Sequence, residues 1–240
     1  MAGSFDGSTS KLQTSSAPAT GTPVSMACWI NPNNITNHMT LVSLANSGTT
    51  TDLLRLTLRG DVGGDPVWAH ALSNSVNDAA ATSSGFSSGT WQHACAVFAA
   101  ANDRRVYLNG GSKGTNATSV TPSGINRLTI GSHGLSTDGN FTAGKIAEVA
   151  IWDGVALTDA DVATLATGIT PSEVQAEHLI FYAPMIRDLI DTWGGFALTA
   201  TAVTVADHPR IYRPRRALWV PSAPVAGPPA GSLALLGVGV

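Results

Sequence analysis

Two cysteines in 240 residues, charged side chains at 12% and aromatics at 6% exclude several kinds of protein before any motif is sought. Cys28 and Cys95 each stand inside an apolar alternating run, and a single pair is no disulfide framework of the kind that staples small secreted domains; two buried free thiols are expected. Neither cysteine has a second cysteine or a histidine at ligand spacing, so zinc is not expected. The formal net charge of −3 argues neither for nucleic acid nor for an acidic ligand. No apolar run reaches the roughly 20 residues that span a bilayer, and the closing GSLALLGVGV falls far short. The opening MAGSFDGSTS has no basic start followed by an apolar stretch, so no signal peptide is expected, and the expectation is a soluble chain made in a cytoplasm. The sequons at Asn34, Asn116 and Asn140 then read as chance in a Thr-rich chain. No Gly-x-Ser-x-Gly elbow or other nucleophile setting occurs, which leaves His93, beside Trp91, as a half-buried strand histidine bonded to a neighbour.

What the chain does have is strands. Gly89 to Gly111 carries two alternating runs, Trp91 to Ala99 and Arg104 to Asn109, joined through Asn102-Asp103; a turn at Asn109-Gly110-Gly111 extends the hairpin into a meander. Val24 to Pro32 places Val24, Met26, Cys28 and Ile30 on one face and Ala27 and Trp29 on the other, as in a strand buried on both sides. Residues 4–13 suggest a first strand with a tight turn. Leu41 to Ala45, Leu53 to Arg59, Val67 to Leu72, Leu128 to Gly131, Ala143 to Trp152, Leu179 to Met185 and Phe196 to Ala202 complete the series. Thr158 with Asp161 is a capping arrangement for a short helix, and Thr170-Pro171-Ser172-Glu173 starts a second. Short strands at regular spacing with almost no helix specify an all-β, two-sheet antiparallel β-sandwich or jelly roll, with one or two short helices near 158–178 and an extended C-terminal arm. Residues 1–206 form the sandwich and 207–240 the Pro/Gly-rich arm. Trp29, Trp91, Val97, Val106, Leu108, Val149 and Ile151 are the expected core.

The order Trp-x-His, apolar strand, turn, Val-Tyr-Leu-Asn-Gly, together with Phe5-Asp6-Gly7, a second strand ending in Trp-x-x-Pro and the closing run from Gly144 to Ala166, resembles the laminin G-like domains of the concanavalin A-like lectin/glucanase superfamily over about residues 4–202. The glucanases of that superfamily set paired carboxylates on one strand in an E-x-D-x-x-E pattern. Here Glu148 and Asp153 stand five apart, on opposite faces of a regular strand, so no catalytic residue is expected, and the resemblance implies a structural role for Glu148. Many lectin-like sandwiches hold calcium on rim loops through carboxylate and carbonyl oxygens, and sugars on the same rims. The glycine-rich loop with Asp61 and Asp65, and the loop Ser132 to Thr142 with Asp138, Asn140 and Phe141, are the candidate glycan or calcium rim, with Phe141 or Trp68 as an aromatic platform. The alternative for these Asp and Asn residues beside glycine is plain turn formation, and no other metal or cofactor is expected.

Residues 208–240 hold four arginines and no acid, which leaves residues 1–207 with nine cations against sixteen acids. Proline and glycine forbid continuous ladders there. Arg210, Arg213, Arg215 and Arg216 supply attraction to an acidic neighbour, while Tyr212, Trp219, Leu233, Leu235 and Leu236 supply apolar anchors, so the segment reads as an assembly arm. From Leu179 through His208-Pro209 and this tail the chain resembles laminin G-like proteins of tailed-bacteriophage structural modules. That implies a non-enzymatic virion protein, a capsid-decorating or cement protein or another particle-surface component, in contact with other virion proteins or copies of itself, and with neither nucleic acid nor membrane. The alternative is a carbohydrate-binding lectin module, free or as the receptor-binding part of a tail fibre, with surface glycans as its partners.

Overall fold

The computed structural model describes residues 2–74, 76–186 and 188–212. In chain order its elements are β1 (Ala2–Asp6), β2 (Lys11–Gln13), β3 (Val24–Pro32), β4 (His38–Ala45), β5 (Leu53–Arg59), β6 (Pro66–Ser73), β7 (Val76–Gly85), β8 (Gln92–Ala100), β9 (Asp103–Leu108), β10 (Gly111–Asn116), β11 (Arg127–Ile130), β12 (Ala143–Asp153), α1 (Asp159–Ala166), a 3-10 turn (Pro171–Glu173), β13 (Leu179–Ala183), β14 (Thr199–Thr201) and β15 (Thr204–Ala206). The first sheet runs β10-β9-β8-β3-β12-β1-β15, with β13 also on β12; the second runs β14-β2-β11-β4-β5-β6-β7. Every ladder is antiparallel. The expected two-sheet sandwich is therefore the fold.

Alternation decides which side chains fill it. Val24, Met26, Cys28 and Ile30 of β3, Ala94, Ala96 and Phe98 of β8, and Leu54, Leu56 and Leu58 of β5 meet in the core between the sheets. The residues between them in β3 and β8, Ala27, Cys95 and Val97, face outward and are buried again beneath α1 with Tyr107, Ala150 and Trp152. Strand β3 is thus buried on both sides, as its sequence requires. The β9–β10 turn uses Asn109 at φ 53° and Gly110 at φ 75°, the pair of left-handed residues that a two-residue hairpin needs. Helix α1 carries the expected capping box: Thr158 Oγ1 accepts from the Asp161 N–H at 3.2 Å while Asp161 Oδ2 accepts from the Thr158 N–H at 2.9 Å.

Several expectations shift. Trp91 precedes β8 and is half-buried, Trp29 is also half-buried, and Val97 packs under α1 and not between the sheets. His93 is fully buried, its ring 5.6 Å from Trp29 in edge geometry. The second helix is one 3-10 turn whose cap residue, Thr170, makes no side-chain capping bond to the turn's backbone. Strand β7 was not foreseen, because VNDAAATSSG has no apolar alternation; it adds to β6 and meets β10 of the other sheet, where Asn116 Nδ2 donates to Asp78 Oδ1 at 3.1 Å. Gly114 makes that approach feasible, since a methyl group there would sit 1.7 Å from the Ala81 carbonyl oxygen. No helix among the described residues is long and apolar enough to cross a membrane.

Candidate functional site

The outer face of the second sheet is polar. In β5 the pattern LLRLTLR sends its even-numbered leucines inward and Arg55, Thr57 and Arg59 outward, next to His38 and Thr40 of β4 and to Trp68 and His70 of β6. Arg55 Nε donates to His70 Nδ1 at 2.8 Å and Nη1 to Thr40 Oγ1 at 3.3 Å. His70 Nδ1 must then be the acceptor nitrogen, so the ring is neutral with its proton on Nε2, against Asn77 Oδ1. Arg59 grips Asp61 with two bonds of 2.8 and 3.0 Å while its guanidinium carbon lies 3.9 Å from the Trp68 ring centre.

The loop that follows β11 folds over this face. Thr142 Oγ1 donates to the Thr40 carbonyl at 2.6 Å, Ser43 Oγ to the His133 carbonyl at 2.8 Å, and Leu135 packs with Ala45, Leu53 and Leu72. These bonds bring Asn140 Nδ2 within 3.2 Å of His38 Nδ1, and Asp138 into an ion pair with Lys11 and a 3.0 Å bond from Ser132 Oγ. Gln13 Oε1, Thr129 Oγ1 and Trp68 Nε1 are buried here without a hydrogen-bond partner among the described residues, as are His93 Nδ1 and Arg104 Nε in the first sheet.

Burial, helped by the Arg55 charge, lowers all three histidines of the face: His38 and His70 to about 3 and His133 to about 4. Burial and the neighbouring Arg59 also press Arg55 downward. At neutral pH the face therefore offers neutral imidazoles, an amide and two guanidinium groups around an indole. That set can donate and accept hydrogen bonds to hydroxyl groups beside a flat apolar ring.

Of the expected rim, Asp61, Asp138 and Asn140 come together on this face. Asp65 serves the turn before β6, at φ 49°, where its carbonyl accepts from the Phe86 N–H at 2.9 Å. Phe141 and Trp68 are both half-buried, and Trp68 is the one that lies among the polar groups of this face, against Arg59. Asp61 and Asp138 each spend their charge on a cation, and among the described residues no group of three or more His, Cys, Asp or Glu is arranged to hold a metal. Sequence reasoning missed His38, Arg55, Arg59, His70 and His133. The signal was present for two of them, since arginines at alternate positions of an otherwise apolar strand must share its outer face.

Of the arm, Arg210 and Tyr212 are described. Tyr212 is 47% exposed and bonded to the domain through its backbone, donating to the Gly168 carbonyl at 2.6 Å and accepting from the Thr170 N–H at 3.1 Å, with the Arg210 guanidinium 5.1 Å from its ring. Arg213, Arg215, Arg216, Trp219, Leu233, Leu235 and Leu236 lie outside the described residues.

Glu148 is fixed by a feature no strand pattern shows. It sits in a β-bulge of β12 at φ 55°, between the half of β12 that pairs with β1 and the half that pairs with β13. Its side chain is buried, accepts from the Tyr182 hydroxyl and lies 3.1 Å from His208 Nε2. Asp153 is exposed at the end of the strand. The carboxylate that might have been half of a glycosidase pair is thus committed to the packing of the C-terminal segment.

By fold the chain is similar to a heptameric SAP-like pentraxin from Limulus polyphemus (TM-score 0.61, 18% identity, 86% of this chain and 94% of that one). It is also similar to a candidate carbohydrate binding protein from Bacteroides ovatus, of which it spans 61% (TM-score 0.60, 17% identity, 88% of this chain). A third likeness is domain 4 of an extracellular arabinanase from Geobacillus stearothermophilus, solved with arabinotriose (TM-score 0.51, 22% identity, 62% and 68% covered). No curated protein matches the chain in sequence. Residues 6–163, the greater part of the sandwich, match the third laminin G family model, and the chain belongs to that family of the concanavalin A-like lectin/glucanase superfamily.

Proposed function

We propose that the chain is a non-catalytic carbohydrate-binding module that reads its glycan on the outer face of the second sheet. The observation that carries this reading is the set of hydrogen-bonding groups on that face, with Arg59 stacked on Trp68 and paired with Asp61, and Asn140 bonded to His38. Such a set pairs sugar hydroxyls while the indole covers an apolar ring face. Membership of a lectin superfamily and likeness to domains solved as, or with, carbohydrate binders support it. We prefer it to the virion-component reading because two of the three similar structures are a candidate carbohydrate binder and a domain solved with a sugar, and none of the three is a virion component.

The test is a glycan array with the full chain, followed by titration of the best ligand. Trp68→Ala and Asn140→Ala are each expected to weaken binding at least tenfold, about 1.4 kcal/mol or more. An array with no response, or a ligand whose affinity neither variant changes, overturns the sheet-face reading. Hydrolysis of any polysaccharide that disappears with Glu148→Gln would overturn the non-catalytic one.

A further inference from the structure

Beyond the family match, which ends at residue 163, the C-terminal segment builds an open pocket of about 280 Å³. Ser172, Tyr182, Pro184, Thr192 and Trp193 line it. Tyr182 and Pro184 are buried and make its floor, Thr192 and Trp193 are exposed, and Ser172 is half-buried. Trp193 is 47% exposed, so its indole is open to a ligand at the mouth of the pocket.

The pocket is rigid for a definite reason. Asp191 is 9% exposed and its two carboxylate oxygens accept four backbone N–H groups: Tyr182 at 2.9 Å, Trp193 at 3.0 Å, Gly194 at 3.2 Å and Phe196 at 2.9 Å. The Thr192 N–H and hydroxyl both donate to the Tyr182 carbonyl, at 2.8 and 3.1 Å. The loop that carries Trp193 is thereby tied to β13. From beneath, the Tyr182 hydroxyl reaches Glu148 and lies 3.1 Å from Thr170 Oγ1, which fixes the floor. A loop whose backbone is held in one place before its partner arrives loses little entropy on binding.

We propose that this pocket is a second ligand site and that it takes one neutral sugar ring. The volume falls just below the range of drug-sized pockets, which suits a single ring and not a chain of them. The lining offers the Trp193 indole for the C–H face of a sugar, over the buried Tyr182 as floor, and the Ser172 and Thr192 hydroxyls for its O–H groups. None of the five described lining residues is charged, which favours a neutral ring over an acidic one. The inference stands on this pocket alone and does not need the sheet-face site.

The experiment follows the Trp193 indole N–H of the full-length chain by two-dimensional proton–nitrogen NMR, assigned from the spectrum of Trp193→Phe. Methyl glycosides of glucose, galactose, mannose, arabinose and N-acetylglucosamine are added in turn. At least one is expected to move that signal saturably with a Kd on the order of 1 mM. Trp193→Ala is expected to weaken its binding at least tenfold, and Trp68→Ala to leave it unchanged, which separates this site from the sheet face. A signal that stays fixed across the panel overturns the proposal. So does a response to sialyllactose alone, or to a peptide of residues 213–240 and to no glycoside, which would make the pocket a seat for an acidic ring or for the chain's own C-terminal segment.

Discussion

The two sheets of this sandwich share one core and have opposite outer faces. On the first, Ala27, Cys95, Val97, Tyr107, Ala150 and Trp152 are sealed beneath Val162 and Leu165 of α1, with Leu157, Val174 and Leu179 closing the edges. On the second, the positions of the same alternation are taken by Arg55, Arg59, Trp68, His70 and Thr57, roofed by a loop that contributes mainly polar contacts and one leucine. Each large apolar side chain buried on the first face contributes about 1.5–3 kcal/mol. Each polar group buried on the second must find a partner merely to avoid a penalty of about 1–3 kcal/mol. Stability alone would have made the second face like the first, and the proposed binding site rests on this contrast.

The largest effect that tests the contrast is on the sealed face. Trp152 is fully buried and its Nε1 donates to the Val174 carbonyl at 2.7 Å. Trp152→Ala is expected to cost about 3–5 kcal/mol in urea unfolding, whereas Trp68→Ala on the other face should cost under about 1.5 kcal/mol while weakening glycan binding at the sheet face at least tenfold. Comparable losses from both would mean that the two faces do the same job. Next comes His70→Ala, which strips Arg55 Nε of its acceptor and should cost about 1–3 kcal/mol, with the loss recovered in part by His70→Asn. Thr158→Ala, at the cap of the sealing helix, should cost about 1 kcal/mol without any change in binding.

The smallest effect is one of pH, and its sign differs between buried histidines; His93 in the first sheet is lowered to about 3 by burial, like those of the second face. The histidines of the second face have folded pKa values below the ordinary 6.5, so the unfolded chain binds protons first and their contribution falls as pH drops from about 6.5 towards 4. His208 runs the other way. Burial opposes its charge, but contact with Glu148 and with the Pro184 and Pro209 carbonyls, at 2.9 and 2.8 Å, raises its pKa. Both ring nitrogens face oxygens that only accept, so the doubly protonated ring fits best. Its contribution is complete below about pH 6.5 and is lost as pH rises through the raised folded value. Melting curves from about pH 4 to 8, with His208→Ala and His70→Asn beside the native chain, should show these opposite slopes; parallel slopes would refute the assignment.

Strands that alternate cleanly were legible: β5 occupies the residues its leucines dictate, and β3 carries two buried faces as written. Strand β7 was not legible, since alanine, serine and asparagine carry neither a strand preference nor an apolar period, and it forms because β6 offers an open edge. The bulge at Glu148 was invisible for a similar reason, as a left-handed glutamate is held only by the segments that close around it. Of the candidate site, the loop carboxylates and amide could be named from their setting beside glycine. Their partners could not, because Lys11, His38 and Arg59 lie far from Asp138, Asn140 and each other in sequence and meet only through the pairing of β2, β11, β4 and β5.

The two thiols carry a last consequence. Cys95 pairs in register with Ala27, one residue from Cys28, so the sulfurs project from opposite sides of the first sheet, Cys28 into the core and Cys95 towards α1. No rotamer change can join them. Burial also raises both thiols far above their ordinary pKa, which leaves almost no thiolate to react with an oxidant. The described domain is therefore indifferent to redox conditions: it keeps the same covalent structure among reducing thiols or in oxidising surroundings, and can be made in the one and used in the other without rearrangement.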